Sequence, residues 1–132
     1  MKIYSWNVNG IRAVIRKELF KPFIEKEQPD ILCLQETKAQ QGEAVIDLPG
    51  YIEYWNSAEK KGYSGVAVFS KLTPDLVQMG NGYMQSDAEG RVIRCDFGDI
   101  TLINAYFPSG TSGDIRQTYK YQWLEEFIEY LN

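Results

Sequence analysis

The chain has 132 residues, 44% of them apolar, enough for one packed core and too many for a disordered segment. Its 14 basic against 18 acidic side chains leave a net charge of −4, which argues against polyanion binding by the whole surface but leaves room for a local basic face. There is no histidine, so any chemistry within these residues runs on carboxylates, tyrosine, lysine or a hard metal ion.

In chain order, Ile3 to Val8 alternates and is rich in aromatic and β-branched residues, which predicts a strand ending near Asn9-Gly10. Ile11, Val14, Ile15, Leu19, Phe20, Phe23 and Ile24 recur at helical spacing, with Pro22 predicting a break or restart. Pro29-Asp30 ends that pattern. Ile31 to Leu34 is then a near-continuous apolar run, the pattern of a central strand buried on both faces and parallel to the first. Gln40 to Asp47 is a weak candidate helix. Tyr51 to Trp55 and Gly65 to Ser70 read as strands, and Arg91–Phe97 with Ile100–Phe107 as a hairpin around Gly98-Asp99. Gly80–Gly90 and Ser109–Asp114 read as mobile loops. Ile115, Tyr119, Trp123, Leu124, Phe127, Ile128 and Leu131 mark a last, amphipathic helix.

The expected fold is α/β, one mixed sheet with flanking helices, over a single unit 1–132. Cys33 and Cys95 lie inside apolar strands and read as buried free thiols. No apolar run approaches the roughly 20 residues that span a bilayer, so no membrane association is expected. The first residues lack the apolar core and cleavage site of a signal peptide, which predicts a cytoplasmic location.

Two strand ends stand out. "WNVNG" closes the first apolar run and "QET" the second, and a strand that only builds a core has no need of either. Ligand sites in open α/β sheets gather at the carboxyl ends of strands. Glu36 with the neighbouring amides Asn7, Asn9 and Gln35 is an oxygen-rich set suited to Mg²⁺, which takes one or two carboxylates and keeps several waters. The alternative is that Glu36 pairs with Lys38 or caps the next turn. Tyr106 ends a strand and reads either as a hydroxyl for a phosphate or as a half-buried aromatic. Arg12, Lys60, Lys61 and Arg91 form a phosphate-binding rim if they share the face of Glu36, and Gly62-Tyr63-Ser64-Gly65 is an aromatic-bearing turn beside that lysine pair.

Taken in order, "SWNVNGIRA", "PDILCLQETK", "GYSGVAVFSK", "EGRVIRCDF" and "NAYFPSG" resemble the exonuclease III family of abasic-site endonucleases, in the endonuclease/exonuclease/phosphatase superfamily. The resemblance covers nearly the whole chain. It implies that Glu36 and Asn7 hold the metal, Mg²⁺ with Mn²⁺ as substitute, and that Tyr106 contacts the scissile phosphate, making Glu36, Asn7 and Tyr106 the catalytic set. It implies DNA contacts at Arg12, Gly62, Tyr63 and Arg91, and at Ser109, where other members carry asparagine or glutamine. Asn9 stands where some members have aspartate, which weakens a second metal position.

The implied partner is double-stranded DNA with abasic sites, and the implied reaction is Mg²⁺-dependent hydrolysis 5′ to the missing base, with 3′ exonuclease activity beside it. Members are longer than this chain. Their other half brings a Gly-Asp-x-Asn motif and an aspartate–histidine pair, so this chain resembles the amino-terminal half of a four-layer α/β sandwich and is expected to be inactive alone. Its inner sheet face is expected to be uncovered and open to association. Two other readings stay open: a superfamily phosphodiesterase or phosphatase acting on a small substrate, and a non-catalytic DNA-binding or interaction module.

Overall fold

The computed structural model describes residues 1–44, 46–111 and 113–132. The first unit is strand–helix–helix–strand: β1 (Ile3–Asn7), α1 (Ile11–Arg16), α2 (Phe20–Glu27) and β2 (Ile31–Gln35). β1 and β2 run parallel, with Asn7 opposite Gln35. The helical stretch breaks before Pro22 rather than at it. Glu18 adopts a left-handed φ of 57°, and Pro22 falls in the first turn of α2, where a missing N–H leaves no helical bond unmade. In the described part of Gln40–Asp47 there is a turn and no helix; Val45 lies outside the described residues.

β3 (Ile52–Asn56) and β4 (Val66–Ser70) complete a mixed sheet in the order β1-β2-β4-β3, with β4 antiparallel to both of its neighbours. The remaining strands form a second, antiparallel sheet: β5 (Leu76–Met79), β6 (Val92–Phe97) and β7 (Ile100–Ala105), in that order. The hairpin turns at Gly98-Asp99 as expected, with Phe97 opposite Ile100. α3 (Met84–Ala88) occupies part of the Gly80–Gly90 loop, and α4 (Asp114–Leu131) closes the chain. Ser112, in the other expected loop, lies outside the described residues.

The α/β class and the mixed sheet match expectation, but the count of one sheet is corrected to two. The cause is visible in which side chains are buried. On β2, Leu32 and Leu34 pack toward α1 and α2 with Phe20, Ile24 and Phe69, while Ile31 and Cys33 face the other way. Their partners on that side are Val66 and Val68 of β4 and Ile93 and Cys95 of β6. A third cluster joins Val92 to Tyr119 and Trp123 of α4. Four layers therefore stack within this one chain: α1/α2, the mixed sheet, the antiparallel sheet, α4. The inner face expected to be bare is covered by β5–β7, and both cysteines lie free and buried in that covered layer.

What stays open is a flank. β1 ends one sheet and β7 ends the other. Ile3, Ser5, Cys33, Gln35, Leu102 and Asn104 line a groove of about 410 Å³ between them, with Ile3 45% exposed. No helix among the described residues is long and apolar enough to cross a membrane.

Phe69 holds the first core together. It is fully buried, meeting Phe20 edge-to-face at 5.7 Å and Trp55 at 5.8 Å. Phe69→Ala is expected to cost roughly 3–5 kcal/mol of stability by urea unfolding. A loss below about 1 kcal/mol would contradict this packing.

Candidate active site

Parallel pairing puts the carboxyl ends of β1 and β2 side by side, so their terminal polar groups meet. Asn7 donates through Nδ2 to Oε1 of Glu36 at 3.3 Å. Beyond the strands the backbone stays stitched: Gly10 N–H donates to the Glu36 carbonyl at 2.7 Å and Ile11 N–H to the Thr37 carbonyl at 2.9 Å. On the other side, Thr37 and Lys38 donate their N–H groups to the carbonyls of Gly65 and Ser64. Gly65 is required there, because its φ is +92° and an added Cβ would run into the Thr37 hydroxyl.

Among the described residues six non-glycine positions have positive φ, and Asn9, Glu36, Lys38 and Ser64 are four of them. Left-handed backbone is unfavourable for such residues and gathers where surrounding structure over-determines it, often at functional sites. Here it is concentrated around Glu36.

Three more groups converge on that carboxylate. Tyr106, just past β7, donates its hydroxyl to Glu36 Oε1 at 2.8 Å. Lys38 Nζ lies 3.2 Å from Glu36 Oε2 and donates to Asn9 Oδ1 at 2.8 Å. The expected pairing of Glu36 with Lys38 is thus present, and it does not exclude a site. Burial opposes the Glu36 charge, but the hydrogen bonds from Tyr106, Lys38 and Asn7 outweigh it and hold the carboxyl below its ordinary range. Burial and the bond to Glu36 push the Tyr106 phenol up to about 12.

The donor set fits a hard divalent cation. Glu36 Oε2 and Asn9 Oδ1 already share a cation, the Lys38 ammonium, and one carboxylate with amide oxygens suits an ion that keeps much of its water. Among the described residues there is no group of three or more acidic, Cys or His side chains able to hold a metal by themselves. Any cation here would be incompletely enclosed.

Around this centre the expected rim is partly assembled. Arg12, Arg16, Lys38 and Gly62 line one shallow cleft, where Arg12 Nη2 donates to the Lys38 carbonyl at 3.1 Å and Nη1 pairs with Glu43 at 3.4 Å. Lys60 sits over the Tyr63 ring at 5.2 Å. Ser109 is exposed and hydrogen-bonds to the Thr111 hydroxyl. Arg94 pairs with Asp96 at 2.9 Å.

Arg91, expected at the DNA contact, is turned inward. Its side chain is 2% exposed, and Nε, Nη1 and Nη2 donate to Glu89, to the Tyr106 carbonyl and to the Tyr63 hydroxyl. A guanidinium so engaged holds Tyr63 and Tyr106 in place.

Asn104, which no motif singles out, also orders the site. It is buried in β7, donates to the carbonyls of Leu34 and Ala67 at 3.0 and 2.8 Å, and accepts from Gln35 at 2.8 Å. It pins the second sheet to the first directly behind Glu36. An amide among apolar neighbours in a strand was the available signal, since such a group must find partners.

This geometry agrees with what the chain resembles. Residues 4–132 match the Endonuclease/Exonuclease/phosphatase family, and the chain belongs to it. It is 47% identical over 131 residues to the exodeoxyribonuclease of Bacillus subtilis (strain 168), covering 99% of this chain and 52% of that protein. It is 44% identical over 136 residues to the DNA repair nuclease APEX1 of Danio rerio, covering 99% of this chain and 44% of the relative. The structure of an AP endonuclease from Archaeoglobus fulgidus superposes with a TM-score of 0.80 at 34% identity, over 99% of this chain and 51% of the other. The chain spans about half the length of the relatives it matches.

The Tyr106–Glu36 bond can be read by titration. A folded-state phenol raised above its ordinary value of about 10 contributes stability that is full below that pH and is lost as pH rises through about 12. The lowered Glu36 carboxyl contributes stability present above its ordinary range and lost as pH falls through its depressed value. The phenolate absorbance of wild type minus Tyr106→Phe is expected to show a tyrosine ionising near 12. A difference curve centred near the ordinary phenol value would remove the bond.

Proposed function

We propose that this chain carries the metal- and phosphate-binding side of a DNA-repair nuclease that hydrolyses the phosphodiester 5′ to an abasic site, with 3′ exonuclease activity as a second outcome of the same chemistry. The observation that carries the reading is the convergence of Asn7, Glu36 and Tyr106 from three strand ends onto one carboxylate beside a cationic cleft. The names of its relatives, an exodeoxyribonuclease and a DNA repair nuclease, support it.

Glu36, helped by the amide of Asn7, would hold Mg²⁺ or Mn²⁺, and the bound ion would supply neutralisation of the charge developing on the phosphate and the leaving oxygen. The chain's own residues do the rest of the positioning. Tyr106, kept protonated at neutral pH by its burial and by Glu36, offers a hydroxyl hydrogen to a phosphate oxygen when it leaves the carboxylate. Arg12 and the Gly62-Tyr63 turn grip the DNA backbone, and Arg91 keeps Tyr63 and Tyr106 at a fixed separation. An abasic sugar is favoured because it leaves the helix without unstacking a base.

The water-activating base is not among these residues, so the chain alone binds but does not turn over. We assign it to the remaining half found in the longer relatives, seated on the flank between β1 and β7, where both sheets have an unpaired edge. The rim is a shallow cleft over the strand ends, which favours a long backbone ligand over a small phosphate ester.

The test mixes this chain with the carboxyl-terminal half of the Bacillus subtilis relative and follows nicking of an abasic duplex in Mg²⁺. Co-elution of the two pieces and nicking by the mixture are expected, with none by the chain alone. Tyr106→Phe should lower the rate roughly 10²–10³-fold, the loss typical of one donor to developing charge. Co-elution without nicking would sink the nuclease reading, and nicking by the single chain would refute its dependence on a second half.

A further inference from the structure

The layer of α1 and α2 has an opening of its own, which the nuclease reading leaves unused. A groove of about 380 Å³ lies between the end of α1, the start of α2 and the segment that leads to β3. Its apolar wall is made by Ile15, Phe20, Pro22 and Ile46. Phe20 is buried at the back, Ile15 and Ile46 are half-buried, and Pro22 is exposed. Leu19, next to Phe20 in the chain, is 54% exposed. Apolar surface left open in a groove favours a partner whose side chain displaces the water from it.

The rim of this groove is acidic. Glu18, Glu25 and Asp47 line it against the single ammonium of Lys21, a local excess of two negative charges. All four residues are exposed, and among the described residues none of them forms an ion pair. Lys21 and Glu25 stand four apart on α2, at the spacing of a helical pair, and still do not meet. Exposed carboxylates alone are ordinary solvated surface. Around an apolar wall they do more, because an anchor seated there brings cations on the same chain into register with them.

The sign of charge changes across α1. Arg12 and Arg16 line the cationic cleft with Lys38, while Ile15 lines the groove. The groove shares no lining residue with that cleft or with the open flank between β1 and β7. Phosphates are repelled by its rim, and a second copy of the chain brings a net charge of −4 toward it. A cationic protein segment meets neither obstacle.

We propose that this groove docks a lysine- or arginine-rich segment of a partner protein. A large apolar side chain of that segment sits against Ile15, Phe20 and Ile46, and its basic side chains face Glu18, Glu25 and Asp47. The inference stands apart from the nuclease reading, since no residue of the Glu36 cluster takes part. A partner held here lies on the helical layer and leaves the cationic cleft free.

The probe is a fluorescein-labelled amphipathic peptide with leucine on one face and lysine on the other, titrated with the 132-residue chain at low salt and followed by anisotropy. One variant combines Glu18→Gln, Glu25→Gln and Asp47→Asn. A control combines Glu59→Gln, Asp99→Asn and Glu125→Gln, which removes the same charge from exposed positions outside the groove. Circular dichroism checks that both are folded. The groove variant is expected to bind roughly tenfold more weakly, the effect of losing three exposed ion pairs, and the control to bind as wild type does. Serine in place of the leucines of the peptide should weaken binding roughly tenfold or more.

Equal weakening in the two variants means that the peptide senses only total charge, and the proposal is overturned. Wild-type affinity in the groove variant, equal binding of the serine peptide, or no binding of the leucine–lysine peptide by wild type overturns it as well. Sedimentation of wild type alone tests the other occupant. Self-association that the groove variant abolishes would give the groove to a second copy of the chain and remove the partner.

Discussion

Everything at the candidate site depends on β1 and β2 lying parallel with Asn7 opposite Gln35. In an antiparallel pair the end of one strand meets the start of the other, and Asn7 would sit beside the beginning of β2 with no carboxylate in reach. The parallel arrangement needs a crossover, which α1 and α2 provide, and it requires cover on both faces of β2. The two helices cover one face and β6 covers the other. The layered fold is thus the condition for two polar strand ends to lie next to each other.

A second constraint fixes how the two sheets sit. Sliding one sheet over the other would carry Tyr106 away from Glu36, and apolar contacts alone resist sliding weakly because they have no direction. Asn104 supplies direction. Its buried amide reaches two carbonyls of the first sheet and the Gln35 side chain, and a shift of one residue would strand all of these groups without water. Tyr106 is two residues further on, so the amide sets where the phenol arrives. Arg91 then fixes Tyr106 from the backbone side.

The strands with the strongest patterns were legible because each carries its own evidence: the unbroken run of β2, the alternation of β1, the hairpin turn at Gly98. β5 was missed because Leu76-Val77-Gln78-Met79 is short and mostly exposed, so it shows no buried face to read. The division into two sheets was hidden for a different reason. An apolar run reports that a strand is covered, and not which strand covers it. Asn7, Glu36 and Tyr106 were legible as polar groups at strand ends, yet the left-handed backbone at Glu36, Lys38 and Ser64 has no signature in residues of those types. Arg91 was legible as a basic residue but its burial was not, because arginine is rarely buried.

The covered layer between the sheets has a chemical consequence. Cys33 and Cys95 both lie in it, and burial, with a smaller contribution from Cys95 at Cys33 and from Asp96 at Cys95, raises their thiols to about 12 and about 11. At neutral pH neither is a thiolate, so neither reacts while the layers stay together. Alkylation of these thiols is then limited by the opening of the interior, and its rate becomes a clock for how often the two sheets part. The molecule carries that reporter in its own sequence, with no probe attached.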